Sequence, residues 1–167
     1  TYGSAVFGVD ATTICCEVNI VKGTKFFMVG LPDNAVKESW SRVESTIRHH
    51  KYDMPRRRTI INLSPADIRK EGSAYDLPIG IGLLAATEQL KPDKLSKFII
   101  MGEMSLDGKL QPIKGALPIA LQAKKEGFEG FILPRQNARE AAIVEDLPVY
   151  GAENFTQVVE FLEGRRV

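Results

Sequence analysis

The sequence predicts a mixed α/β fold, a mixed sheet packed with helices, and three observations carry the prediction. Its first third is rich in β-branched residues interrupted by turn chemistry, its middle holds a helix apolar all round, and its second half alternates strand, helix and strand. With 167 residues the chain has the usual size of one compact domain and can bury a real core. Residues 1–167 are therefore read as a single domain, undivided by any repeat or low-complexity linker.

The elements follow in order. Strands are expected at Val6 to Val9, Thr12 to Val21 and Phe26 to Val29, separated by turns at Gly8-Val9-Asp10 and Lys22-Gly23-Thr24, with an antiparallel start. Leu31-Pro32-Asp33 stops the third strand, and Asp33 caps a helix whose stripe is Val36, Trp40, Val43 and Ile47. His49, His50, Lys51 and Pro55-Arg56-Arg57-Arg58 form its exit loop, and Thr59 to Leu63 gives a short strand. Asp76 to Leu90 reads as a helix with an Asp cap and a first-turn proline, so apolar that it belongs at the domain centre. Phe98 to Met101 is a buried strand. Leu106-Asp107-Gly108-Lys109 reads as a tight hairpin of type I′, since Asp-Gly tolerates positive φ, with Leu110 to Ile113 as the return strand. Ala116 to Glu126 is a helix ending at Gly127, Phe131 to Leu133 a strand, and Ala138 to Ile143 and Phe155 to Leu162 flank a strand at Pro148 to Tyr150. The strand–helix–strand order implies a right-handed crossover and a partly parallel sheet.

Composition excludes several functions. The 22 Lys and Arg against 21 Asp and Glu leave a charge of +1, so no overall field marks a polyanion binder and any such contact needs a local patch. Cys15 and Cys16 are neighbours on a strand, where their side chains point to opposite faces and cannot bridge. A reducing, cytoplasmic compartment fits them. Neither CxxC nor His-rich spacing points to zinc. The longest apolar run, around Leu77 to Ala86, contains Pro78 and two glycines and falls short of a bilayer span, so no membrane partner is expected.

No stretch supplies the G-x-x-x-x-G-K-[ST] of a phosphate-binding loop: Gly23-Thr24-Lys25 and Gly108-Lys109 lack the leading glycine and the following hydroxyl. Gly72-Ser73-Ala74-Tyr75-Asp76 opens a helix, but Asp76 would bring negative charge to an anion there, so a turn and cap is the expected role. Glu103 is a carboxylate at a strand end without a second carboxylate or metal-ligand spacing beside it, so a structural hydrogen bond is its expected role. The one local concentration of positive charge is Arg48, Lys51, Arg56, Arg57 and Arg58, with Arg69 and Lys70 after the next strand. These are the candidate DNA-phosphate contacts, and Glu38, Glu44, Asp53 and Asp67 are interspersed among them.

Three blocks carry a resemblance. They are Phe27-Met28-Val29-Gly30-Leu31-Pro32-Asp33 with Val36 to Ser39 and Arg42-Val43; Asn62-Leu63-Ser64-Pro65-Ala66-Asp67 with Arg69 to Ser73 and Asp76-Leu77-Pro78; and Gly102 to Gly108 with Pro112-Ile113-Lys114-Gly115. Together they resemble the N-terminal, Lon-like domain of the ComM/YifB (magnesium-chelatase-like) AAA+ family, and the third block is similar to the Lon protease domain. The resemblance implies the Lon protease-like, ribosomal S5 domain 2-like fold. It also implies a C-terminal AAA+ module absent from this chain, which would hold ATP and Mg²⁺. The partners implied are that module, the ring neighbours of a homo-hexamer and DNA, in branch migration during natural transformation. Lon proteases pair a serine in a G-P-S-A-G stretch with an activating lysine in a P-I-G-G-L-K stretch. Here Gly72 to Leu77 places Ala74 at the serine and Pro112 to Leu117 places Leu117 at the lysine, so the resemblance implies no catalytic residue, no cofactor site and no metal site. Ser73 and Lys114 lie next to the lost positions, which keeps a relocated Ser-Lys peptidase as one alternative; a protein-interaction module is another.

Overall fold

A computed structural model describes residues 1–91 and 93–164. Its centre is one seven-stranded sheet in the order β3-β4-β2-β1-β5-β8-β9. The strands are β1 (Tyr2–Phe7), β2 (Asp10–Val21), β3 (Phe26–Val29), β4 (Arg58–Ser64), β5 (Phe98–Ile100), β8 (Gly130–Pro134) and β9 (Val149–Ala152). β6 (Glu103–Met104) and β7 (Leu110–Gln111) form a separate hairpin. The helices are α1 (Asn34–His49), α2 (Asp76–Ala86), α3 (Ala116–Lys125), α4 (Ala138–Ala141) and α5 (Phe155–Leu162). β2 runs antiparallel to both β1 and β4, and the other neighbours pair parallel, as the mixed fold class requires.

The antiparallel start is β1 with β2; β3 leaves that hairpin and pairs parallel with β4 instead. The reason lies in α1, which carries the chain back between β3 and β4 as a crossover. β1 begins at Tyr2 and ends at Phe7, because Gly8 and Val9 make the turn. α1 starts where Asp33 accepts a hydrogen bond from the Val36 N–H at 2.7 Å, and it buries Val36, Val43 and Ile47. α2 is buried from Asp76 through Leu84 and ends at Ala86, four residues before the expected Leu90.

β2 carries helices on both faces. Val18 lies against Gly82 of α2, whereas the hydroxyl of Thr13 donates to Glu126 just beyond α3, and residues of opposite parity face opposite sides of a strand. Cys16, on the Val18 side, is buried; Cys15 is half-buried, and both are free thiols. Burial pushes the Cys16 thiol up from 9.0 to about 11.

Two turns differ from the expectation for a physical reason. At the β6–β7 hairpin Gly108 N–H donates to the Ser105 carbonyl and Ser105 N–H to that of Lys109, and only Gly108, at φ 89°, takes positive φ. This is a three-residue loop with a glycine bulge, so Asp107 keeps ordinary backbone angles and a type I′ turn is not formed. At α2 the cap position belongs to Tyr75 without a side-chain bond, and the Asp76 carboxylate is spent elsewhere. Among the described residues no helix is long and apolar enough to cross a membrane.

Candidate functional site

A cleft of about 530 Å³ opens where β1 ends, between the segment leading into α2 and the segment leading into α3. Ser73 and Ala74 stand on one wall, Lys114 on the other, and Met101, just after β5, and Glu103, the first residue of β6, come up between them. The fold therefore brings Ser73, Lys114 and Glu103 around one space, although they are 30 or more residues apart in pairs that include Ser73. Ala74, at the position of a Lon-type nucleophile, offers the cleft a methyl group. Leu117 is not part of its lining; it is the second residue of α3, and its N–H donates to Glu140 at 2.8 Å.

The walls are held by side chains whose roles sequence spacing did not reveal. Asp33 uses its second oxygen to accept the Gly72 N–H at 3.1 Å, so the α1 cap also fixes the cleft wall. Tyr75 is buried and its hydroxyl donates to the Ser4 carbonyl at 3.2 Å; burial drives its ionisation well above the usual tyrosine range. Behind the wall, Asp76 is fully buried and accepts from Arg42 Nε at 2.6 Å, from a second Arg42 nitrogen at 3.0 Å and from Met104 N–H at 2.9 Å. The cleft lining excludes it, so the expectation that Asp76 would bring negative charge to a ligand is corrected. Burial pushes its carboxyl upward, and the guanidinium and backbone donor pull it back down. Arg42 is raised in turn, chiefly by its hydrogen bond to Asp76. No group of three His, Cys, Asp or Glu that could hold a metal occurs among the described residues.

The basic candidates divide into different environments. Arg48, Lys51, Arg56 and Arg57 are exposed where α1 ends and β4 begins. Arg58 is the first residue of β4, half-buried, with its guanidinium 5.0 Å from the Phe27 ring centre and its Nε buried without a partner. It is committed to packing more than to solvent. Arg69 lies beyond the far end of β4, about 20 Å of strand away from the cluster, where it pairs with Glu71 at 3.5 Å and lines the cleft. Lys70 is wholly buried, its ammonium donates to the Pro65 carbonyl, and burial lowers its pKa. A side chain without surface cannot meet a phosphate, so Lys70 leaves the candidate set. Sequence reading also missed a concavity of about 620 Å³ that gathers Lys109, Arg135 and Arg139 beside Glu153. These cations come from separate segments, so no run of charge announced them.

Residues 16–137 match the family described as subunit ChlI of Mg-chelatase. The chain is 41% identical over 165 residues to the competence protein ComM of Haemophilus influenzae, covering 98% of this chain and 32% of that protein. It is 42% identical over 162 residues to the uncharacterized protein YifB of Escherichia coli, covering 96% of this chain and 32% of that one. A weaker likeness, 25% over 170 residues, extends to the Lon protease of Bacillus thuringiensis, of which the chain covers 20%; it agrees with a Lon-like fold. The chain thus spans about a third of the length of the ComM and YifB proteins it matches.

Proposed function

The chain belongs to the family of subunit ChlI of Mg-chelatase, and on that footing we propose that it is the non-catalytic, N-terminal Lon-like domain of a longer cytoplasmic AAA+ ATPase. In this reading the domain helps a hexameric ring assemble and guides DNA, in branch migration and recombination during natural transformation. One observation carries it: in the cleft lined by the segment that resembles the Lon serine stretch, the implied nucleophile position is the methyl of Ala74, and the implied lysine position, Leu117, lies outside the lining. A fold that keeps its shape and loses its reacting groups is suited to holding and orienting. ATP and Mg²⁺ belong to the module outside this chain, since nothing here supplies a phosphate-binding loop.

DNA contact is assigned to the exposed cations Arg48, Lys51, Arg56 and Arg57. Six weak patches on a ring would act together through multivalency. The test is binding of forked and single-stranded DNA across a salt series, by this chain and by the full-length protein, beside a Lys51/Arg56/Arg57→Ala variant. Salt-dependent binding that weakens in the variant is expected. Absence of binding in both contexts removes the DNA role and leaves ring assembly.

A second reading, a relocated Ser-Lys peptidase, is favoured by one observation: Ser73 and Lys114 line the same cleft. It requires peptide hydrolysis that disappears in both Ser73→Ala and Lys114→Ala. Hydrolysis that survives either substitution rejects it.

A further inference from the structure

The strand that floors the cleft, β1, pairs with β2 along its whole length but has no strand beside the end of its other edge. Thr1 exchanges both backbone hydrogen bonds with Cys16, at 3.0 and 2.7 Å. Antiparallel pairing alternates, so Gly3, Ala5 and Phe7 also bond to β2, while Tyr2, Ser4 and Val6 present N–H and C=O to the opposite edge. On that edge β5 pairs only with Tyr2, because its chain turns away after Ile100. Ser4 is satisfied by substitutes, its N–H by the Met101 sulfur at 3.3 Å and its C=O by the Tyr75 hydroxyl. Val6 has neither substitute: among the described residues its N–H and C=O have no partner, and the residue lines the cleft.

The surroundings keep that edge accessible and shaped. Gly115 approaches the Val6 methyls so closely that an added Cβ would lie 2.9 Å from them, and its φ of 77° is one that glycine adopts without strain. Phe7, half exposed, is an apolar surface at the mouth. The side chains of Glu103 and Lys114 make no hydrogen bond or ion pair among the described residues, against the hydrogen-bonded role expected of Glu103, and they add an uncommitted charge of each sign to a lining where Arg69 pairs with Glu71 and Asp33 accepts from Val36 and Gly72. Proteins ordinarily cover or blunt a free strand edge. This one is instead recessed at the floor of a cleft.

We propose that the cleft binds an extended segment of another polypeptide, which adds a short strand beside β1 by exchanging hydrogen bonds with Val6. Main-chain pairing supplies the seat. Selectivity comes from side chains on either side of the docked residue, a basic one toward Glu103 and an acidic one toward Lys114, with an apolar neighbour against Phe7. The site requires neither the Ser73 hydroxyl nor hydrolysis, so it stands apart from the peptidase reading, and it does not involve the cations assigned to DNA.

The probe is a fluorescein-labelled peptide alternating valine with lysine and glutamate, compared with the same peptide N-methylated at every second amide and with a labelled single-stranded oligonucleotide. Saturable binding of the unmethylated peptide below about 1 mM is expected. Exchange of the Val6 amide hydrogen should slow at least roughly tenfold when the peptide saturates the chain. Val6→Pro removes the outward donor at a strand edge that tolerates proline, and Ala74→Trp fills the cleft from the other wall; each should weaken binding about tenfold. If a variant misfolds by circular dichroism, exchange at Val6 in the unsubstituted chain decides. The proposal is overturned by failure of the peptide to bind, by equal binding of the N-methylated peptide, by binding that leaves Val6 exchange unchanged, or by protection of Val6 from the oligonucleotide alone.

Discussion

Helices α1 and α2 touch each other and share a sheet, yet they solve opposite problems. α1 buries one stripe, Val36, Val43, Thr46 and Ile47, and turns Lys37, Glu38, Ser41 and Arg48 to water. α2 buries nine consecutive residues from Asp76 to Leu84 and has almost no solvent face. A charge on α1 can therefore be solvated, whereas the one charge on α2 must be neutralised inside the fold. Asp76 is neutralised by Arg42, which α1 sends inward from the margin of its buried stripe. A surface helix thus supplies the counter-ion that a central helix needs, and the pair fixes the wall of the cleft from behind.

The strongest way to break this comparison is to remove the counter-ion. Arg42→Met leaves a fully buried carboxylate and should cost about 3–5 kcal/mol in urea unfolding, whereas Lys37→Met on the outer face of the same helix should stay within about 0.5 kcal/mol. Truncating the central helix comes next. Leu83→Ala, at a site with no exposed surface, should cost about 2–5 kcal/mol in the same measurement.

The thiols on β2 sharpen the contrast through pH. Cys16 lies on the face that α2 covers and its folded pKa is raised to about 11 from 9.0, while Cys15 points the other way. A raised folded pKa means the unfolded chain loses its proton first, so this contribution is fully present below pH 9 and is lost as pH rises through 11. The two-unit difference corresponds to about 2–3 kcal/mol at most. Thermal midpoints across that window should fall less steeply in Cys16→Val than in the unsubstituted chain. The smallest effect on stability belongs to the exposed cluster: Arg56/Arg57→Ala should change unfolding by less than about 0.5 kcal/mol while lowering the salt dependence of duplex DNA binding by about 2 in log–log slope.

Much of the fold was legible because periodicity is a local property. The Asp33 cap, Val36, Val43 and Ile47 of the α1 stripe, the limits of β3 and α5, and the stop at Gly127 stand where residue spacing put them, while Trp40 of that stripe is only half-buried. The cleft was legible only in part. Ser73, Ala74, Glu103 and Lys114 were each singled out from the sequence, but that they surround one space depends on β1 and on the crossovers. Lys70 shows the opposite limit: beside Arg69 it looks like surface charge, and only the loop after β4 turns it inward onto Pro65.

By itself the sequence determined the class of fold, the kind of each long element, the lack of a phosphate-binding loop and the family to which the chain belongs, because hydrophobic period, turn chemistry and motif identity are written over a few neighbouring residues. Tertiary structure alone decided that β3 pairs with β4, that Asp76 faces Arg42, that Lys70 has no surface, and that the edge of β1 at Val6 has no neighbour. Each of those depends on which distant segment arrives alongside, and pairing between strands and charges far apart in the chain is set by packing the whole core, which no local pattern encodes.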